Sequence, residues 1–215
     1  TSTGIELRAI WRSNIAPSAS SGAAANSFCL HEPHFAAAAA SFGSIAMFHV
    51  VGCTPEAPSL REACGGQIAE TRQNVTREDL DRAFPAFPAD LQPDLVVFSA
   101  PQLSIQEVVQ ILQILGSRRV RPGTRMIVTV NAQVEGELAR TGLLDVMQAA
   151  GIEVLSGTCF YVMAPAVVKQ ALGARTLLTP STKLLNILRG VGYEVALGSV
   201  EQCVEAAADT QEATI

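Results

Sequence analysis

The chain has 215 residues, 48% hydrophobic and 16% charged, with a formal net charge of −5. That balance excludes a disordered chain, which would be polar and highly charged. It speaks against a nucleic-acid binder, which carries a basic face. No apolar run reaches the roughly 18 residues of a membrane span; the nearest, residues 35–52, is broken by Ser41, Gly43, Ser44 and His49.

Residues 1–32 are rich in Ser, Ala and Gly and read as irregular, with one strand at 5–10. The chain starts at Thr1 with no Met and no signal-peptide pattern. Two origins stay open: a boundary chosen for the fragment, or autoproteolysis, in which a Thr hydroxyl attacks the preceding peptide bond. The spacing of apolar residues predicts a helix at 33–43, a strand at 45–51 and a helix at 59–72 carrying Leu60, Ala63, Ile68 and Ala69. Thr76 with Asp79 resembles a capping box opening a short helix.

From residue 94 the pattern sharpens. Residues 95–99 are a continuous apolar run, the mark of a strand buried on both faces. Ser104 with Glu107 caps a helix bearing Ile105, Val108, Val109, Leu112 and Leu115. A strand at 125–130 follows, then one helix over 132–150 or two meeting at Thr141-Gly142. Strands are expected at 152–155, 160–163, 176–178 and 193–197, and helices at 166–173 and 180–189, the last with Pro180 in its first turn. Ser199 with Gln202 caps a final helix through Ala208.

Strands alternating with helices predict an α/β layered fold with a largely parallel sheet. The expected division is a lead-in at 1–32, a first α/β segment at 33–92 and a second at 93–215. In such sheets the site lies in loops at the carboxyl ends of strands. Here those are 52–58, 99–104, 156–160, 179–183 and 197–199. Cys29, Cys53, Cys64, Cys159 and Cys203 form no CxxC pair, so a local zinc or thioredoxin-type site is not expected. An odd count of thiols in so apolar a chain points to reduced cysteines and an intracellular, cytoplasmic protein. The ordinary reading of each is a buried small hydrophobe.

The loops carry the most distinctive residues. They are Met47-Phe48-His49-Val50-Val51-Gly52-Cys53-Thr54-Pro55-Glu56-Ala57, Asp94-Leu95-Val96-Val97-Phe98-Ser99-Ala100-Pro101-Gln102-Leu103-Ser104, Gly157-Thr158-Cys159, Thr179-Pro180-Ser181-Thr182-Lys183, and the stretch ending Glu201-Gln202-Cys203-Val204-Glu205-Ala206-Ala207. In order, these resemble the "fHvvGvTPEA", "DlValGCPHlS", "DTC", "TNSxK" and "gsleeCveaA" segments of the aconitase X family. The resemblance covers nearly the whole chain and about the C-terminal half of that family's catalytic domain. It implies an aconitase-like α/β fold and a hydro-lyase acting on small hydroxy acids, such as cis-3-hydroxyproline or a phosphorylated mevalonate. It also implies an iron–sulfur cluster, a small swivelling domain and a partner: the missing N-terminal half, as a second chain or a cleaved part of one precursor. A small-molecule substrate is expected, with no nucleic acid and no membrane.

The departures are as informative. At the family's "GCPH" stand Ser99, Ala100, Pro101 and Gln102, so a position implied to be a cluster ligand has no sulfur, and Gln102 replaces a histidine. Cys159 keeps the "DTC" cysteine, but Gly157 replaces its aspartate. Pro180 replaces the asparagine of "TNSxK", and Asn186-Ile187 replaces the usual His-Tyr. A cluster needs thiolates at several corners, so the expectation is no cofactor and no metal ligand. Cys53 or Cys203 could substitute only in a redrawn geometry.

The candidate catalytic residues are Cys159, Lys183, Ser181 and His49; the candidate substrate-binding residues are Thr54, Thr158, Ser99 and Gln102. Cys159 is either an acid, base or nucleophile, or a buried relic. Lys183, in the first turn of a helix, is disfavoured there by the dipole and wants a carboxylate partner or an anionic substrate. Ser181 is equally a cap and a polar site group. His49 is a core histidine or a site base, Glu56 a solvated carboxylate or a base. His31 and His34 read as surface or interface residues. The expected function is a lyase using acid–base chemistry for dehydration, decarboxylation or ring formation without a cluster, specialised as in secondary metabolism. The alternatives are a cluster-dependent hydroxy-acid dehydratase with shifted ligands, and a non-catalytic partner subunit.

Overall fold

The computed structural model describes residues 9–11, 34–45, 47–68, 71, 73–76, 78–79, 82 and 92–210. The chain divides into two compact units, Thr1–Leu80 and Asp81–Ile215.

In the first unit, strand β1 (Ala9–Trp11) pairs in parallel with β2 (Phe48–Val50), Ile10 lying opposite His49. Residues 5–8 of the expected first strand lie outside the described residues. Helix α1 covers 34–43, and the Phe35 ring meets Phe48 edge-on at 4.9 Å. The helix expected over 59–72 is only α2 (Leu60–Ala63). Gly65 and Gly66 follow at φ 60° and 82°, a left-handed conformation that no continuing helix adopts. Ile68, an apolar residue of the expected helix, lies beyond its end and is 86% exposed.

The second unit is a five-stranded parallel sheet in the order β5-β4-β3-β6-β7. Its strands are β3 (Leu95–Leu103), β4 (Arg125–Val130), β5 (Ile152–Ser156), β6 (Thr176–Thr179) and β7 (Glu194–Leu197). Side chains alternate over Leu95–Phe98, and an irregularity after Phe98 reverses the parity, so β3 feeds two cores. Val96, Phe98 and Leu103 join α3 (Ile105–Leu115), α4 (Ala132–Arg140), α5 (Leu143–Ala149) and α8 (Val200–Ala207) on one face. Leu95, Val97 and Ala100 join Phe160, α6 (Pro165–Leu172) and α7 (Thr182–Arg189) on the other. Both faces are covered, which is why residues 95–100 are all buried.

The start and stop chemistry is local. Ser104 and Glu107 form the reciprocal capping box, as do Ser199 and Gln202. Asn131 accepts from Val134 N–H to open α4. The stretch 132–150 is two helices, divided where Gly142 takes φ 75°. Two expectations are corrected. Residues 160–162 are a 3₁₀ turn, not a strand: Val162 and Met163 N–H bond back to Cys159 and Phe160 carbonyls at 3.0 and 3.2 Å, leaving no ladder to pair. Pro180 precedes the cap of α7, because Ser181 is extended and its oxygen accepts from Leu184 N–H.

Candidate active site at the switch point of the sheet

The chain order of the strands decides where a crevice opens. From β3 the chain winds outward to β4 and β5, then returns to place β6 on the other side of β3. The connections leave β3 and β6 toward opposite faces, α3 into one core and α7 into the other. In a doubly wound sheet that reversal is where the carboxyl ends of neighbouring strands open a binding crevice. Here the flanking segments are 99–104 after β3 and 180–183 after β6.

A third loop reaches the same place. After β5, Gly157 N–H donates to Val130 O at the end of β4 (2.9 Å). The loop then crosses to β3. Gln102 Nε2 donates to Thr158 O at 2.8 Å, and Phe160 N–H donates to Ser99 Oγ at 3.0 Å. Thr129 Oγ1 donates to the same Ser99 oxygen at 2.8 Å. Phe160 is then fully buried in the second core. Cys159, between two anchored neighbours, is a free, half-buried thiol.

On the β6 side, Thr179 Oγ1 donates to Val97 O at 2.7 Å, and Ser181 N–H donates to Thr179 Oγ1 at 3.1 Å. Ser181 Oγ donates to Ala100 O at 2.7 Å while accepting from Leu184 N–H at 3.3 Å. Ser181 is 2% exposed and Ser99 3%, so both hydroxyls are spent inside the protein. Lys183 Nζ lies 4.7 Å above the centre of the Tyr161 ring, within cation–π range. It is half-buried and forms no ion pair among the described residues.

The second unit thus brings Ser99, Gln102, Thr158, Cys159, Ser181 and Lys183 to one edge of its sheet. His49 and Thr54 belong to the first unit. There Thr54 Oγ1 accepts from Val50 N–H at 2.9 Å, closing the turn after β2. His49 Nδ1 is buried and has no hydrogen-bond partner among the described residues. Sequence reasoning missed Thr129, Thr179 and Tyr161. Thr129 is the one hydroxyl of β4 and Thr179 closes β6 on the loop side, signals that were present; the ring under Lys183 left none.

Two other groups bear on chemistry. Cys203 is fully buried in the first core, and burial pushes its thiol far above the usual range, which keeps it neutral. At the opposite edge of the sheet, Asp94 accepts from Thr176 N–H, Arg175 N–H and Thr176 Oγ1 at 2.7–3.0 Å. The Thr176 backbone bond, with help from Arg175, holds that carboxyl below its ordinary value against the opposing cost of burial. No helix among the described residues is long and apolar enough to cross a membrane.

Comparison with known proteins agrees with this architecture. Residues 93–209 match the model of the aconitase X third domain, and residues 33–85 that of the aconitase X second domain. A cis-3-hydroxy-L-proline dehydratase of Pseudomonas aeruginosa is 35% identical over 176 residues, 80% of this chain and 30% of that protein. A phosphomevalonate dehydratase large subunit of Aeropyrum pernix is 28% identical over 167 residues, 78% of this chain and 39% of that protein. The crystal structure of Thermococcus kodakaraensis aconitase X in its holo-form superposes with a TM-score of 0.68 at 24% identity, covering 81% of this chain and 43% of that one. The chain spans about a third of the length of these curated relatives. With residues 93–209, more than half of the chain, matched by the model of its third domain, the chain belongs to the aconitase X family.

Proposed function

We propose that this chain supplies the acid–base wall of a lyase acting on a small carboxylate-bearing substrate, by dehydration, decarboxylation or ring formation. The observation that carries this reading is the presence, in loops flanking the switch point, of a half-buried thiol and of an ammonium group with no ion pair among the described residues. The relatives named as dehydratases support the reaction class.

Lys183 sits in the first turn of α7, where the helix dipole disfavours a cation. A substrate carboxylate resolves that conflict. It accepts from the ammonium and from the N–H groups that the first turn of any helix leaves open. The Tyr161 ring holds the ammonium in place beneath it. Cys159 then carries the proton to or from the reacting carbon or its leaving group. Ser99 and Ser181, with both hydroxyls committed to the backbone, shape the crevice. The remaining wall comes from the part of the relatives' length that this chain does not span, in the same polypeptide or in a second chain. One relative is named as a large subunit, which fits the two-chain form.

The same proposal holds that the site works without a family-type iron–sulfur cluster. What supports it is the donor set. Ala100 stands where the resemblance implies a cluster ligand, and it is 2% exposed in an apolar cluster. Cys203 is a neutral thiol inside the core. Among the described residues, no group of three or more His, Cys, Asp or Glu side chains could hold a metal ion. The described residues by themselves do not fit a cluster.

The test is turnover by the full-length protein carrying C159A or K183A, assayed on cis-3-hydroxy-L-proline, phosphomevalonate and related hydroxy acids. C159A is expected to lower kcat/KM by about 10²–10⁴-fold, the usual contribution of a positioned proton carrier. K183A is expected to act mainly on KM. Full turnover in both folded variants would overturn the reading and make the chain a non-catalytic partner.

A further inference from the structure

We propose that Ser99 and Gln102 are positioning residues: a protein-built latch that fixes the Cys159 loop by direct hydrogen bonds, so that its placement owes nothing to a bound metal. The loop has a long way to travel. It leaves β5, passes the end of β4 and ends on β3, two strands away. A loop so extended needs attachment at its far end. The attachments found there flank Cys159 on both sides: the Thr158 carbonyl is held by Gln102 and the Phe160 N–H by Ser99.

Each partner is itself fixed. Ser99 is buried, and its oxygen also accepts from Thr129 on β4, so the bond to Phe160 cannot drift with the solvent. The Ala100 carbonyl is tied to Ser181 across the switch point, which fixes the backbone between Ser99 and Gln102. Both latch residues stand where this chain departs from the "GCPH" pattern. A glycine at 99 would offer no oxygen to Phe160. The segments that a shared cluster would tie through metal are tied here through two hydrogen bonds.

The importance of this placement for turnover rests on the reading of Cys159 as the proton carrier; the latch itself rests on geometry alone. The experiment measures alkylation of individual cysteines by iodoacetamide in the full-length protein, followed by peptide mass spectrometry. Q102L removes the donor at a half-buried position and is expected to keep the fold. S99A removes the acceptor, and a melting curve accompanies it. Loss of either bond is expected to speed Cys159 labelling by about fivefold, the scale of one hydrogen bond. Cys203, buried in the same unit, reports any general opening and is expected to label no faster in Q102L. Pre-treatment of the unaltered protein with a chelator is expected to leave Cys159 labelling unchanged.

Unchanged Cys159 labelling in Q102L would overturn the latch. So would labelling that rises equally at Cys159 and Cys203, or a wild-type rate that jumps once iron is chelated. Turnover is scored separately. If C159A keeps full activity, the acid–base reading fails while the latch stands; if Q102L leaves labelling unchanged, the latch fails while the acid–base reading stands.

Discussion

Two residues only two positions apart, Ser181 and Lys183, divide the labour of one short motif. The Ser181 hydroxyl donates to Ala100 O and accepts from Leu184 N–H, with 2% of the residue exposed. S181A would lose a helix cap and leave a buried carbonyl unpaired. The cap is worth about 1 kcal/mol and the orphaned acceptor about 1–3 kcal/mol. A loss of about 2–3 kcal/mol is expected in urea unfolding. K183A removes a side chain with no ion pair among the described residues and is expected to stay within about 0.5 kcal/mol of the parent. Equal destabilisation by both would show that Lys183 is a structural residue. The capping role was legible, because Ser before a helical period is a local signal. The partner was not: Ala100 lies 81 positions away, and no local pattern announces such a bond. The same holds for Ser99, which the sequence offers as a substrate contact and the structure places beneath the loop with its oxygen already engaged.

Among the elements, β3 was half legible. Its apolar run announces a strand buried on both faces, and Leu95–Phe98 pair regularly with β4. The continuation to Leu103, with an irregularity after Phe98, was not legible, because Ala-Pro in sequence reads as a break. The helix expected over 59–72 ends early for the opposite reason: apolar spacing alone does not carry a helix through Gly65-Gly66, whose left-handed backbone stops it. The other end of β3 shows how strands are fastened before any loop chemistry begins. Asp94 accepts three bonds from Arg175 and Thr176 at the start of β6, and this holds its carboxyl below the ordinary range. A carboxyl depressed in the folded state stabilises the fold above its unfolded value and loses that contribution as pH falls through the folded one. D94A is therefore expected to cost most near pH 7, and the gap to the parent should close below about pH 4, the ordinary aspartate range. Urea midpoints at pH 7 and pH 3 measure it. A gap of the same size at both would mean that Asp94 acts through packing and not through charge.

On the scale of the whole molecule, alternation of strands and helices was enough to predict a parallel sheet, but strand order was not. The reversal between β3 and β6 is what converts scattered polar loops into one crevice, and the residues at that crevice support the proposal of a site without a cluster. A cluster at this crevice needs several thiolates converging on one point. Of the described cysteines in this unit, Cys203 is locked in the core beneath α8 and only Cys159 is accessible. Ala100 fills its place with a methyl group packed in the apolar cluster that includes Phe160 and Leu184. Bringing Cys203 out would dismantle the core that Val204 and Ala207 share with β3, a cost of several kcal/mol for a buried helix face. The full-length protein, purified without oxygen, is therefore expected to carry iron and acid-labile sulfide well below one equivalent per chain. Its turnover is expected to survive a chelator. Stoichiometric iron and sulfide, lost together with activity on chelation, would show that ligands from elsewhere in the protein converge on Cys159 and that the cluster-free reading is wrong.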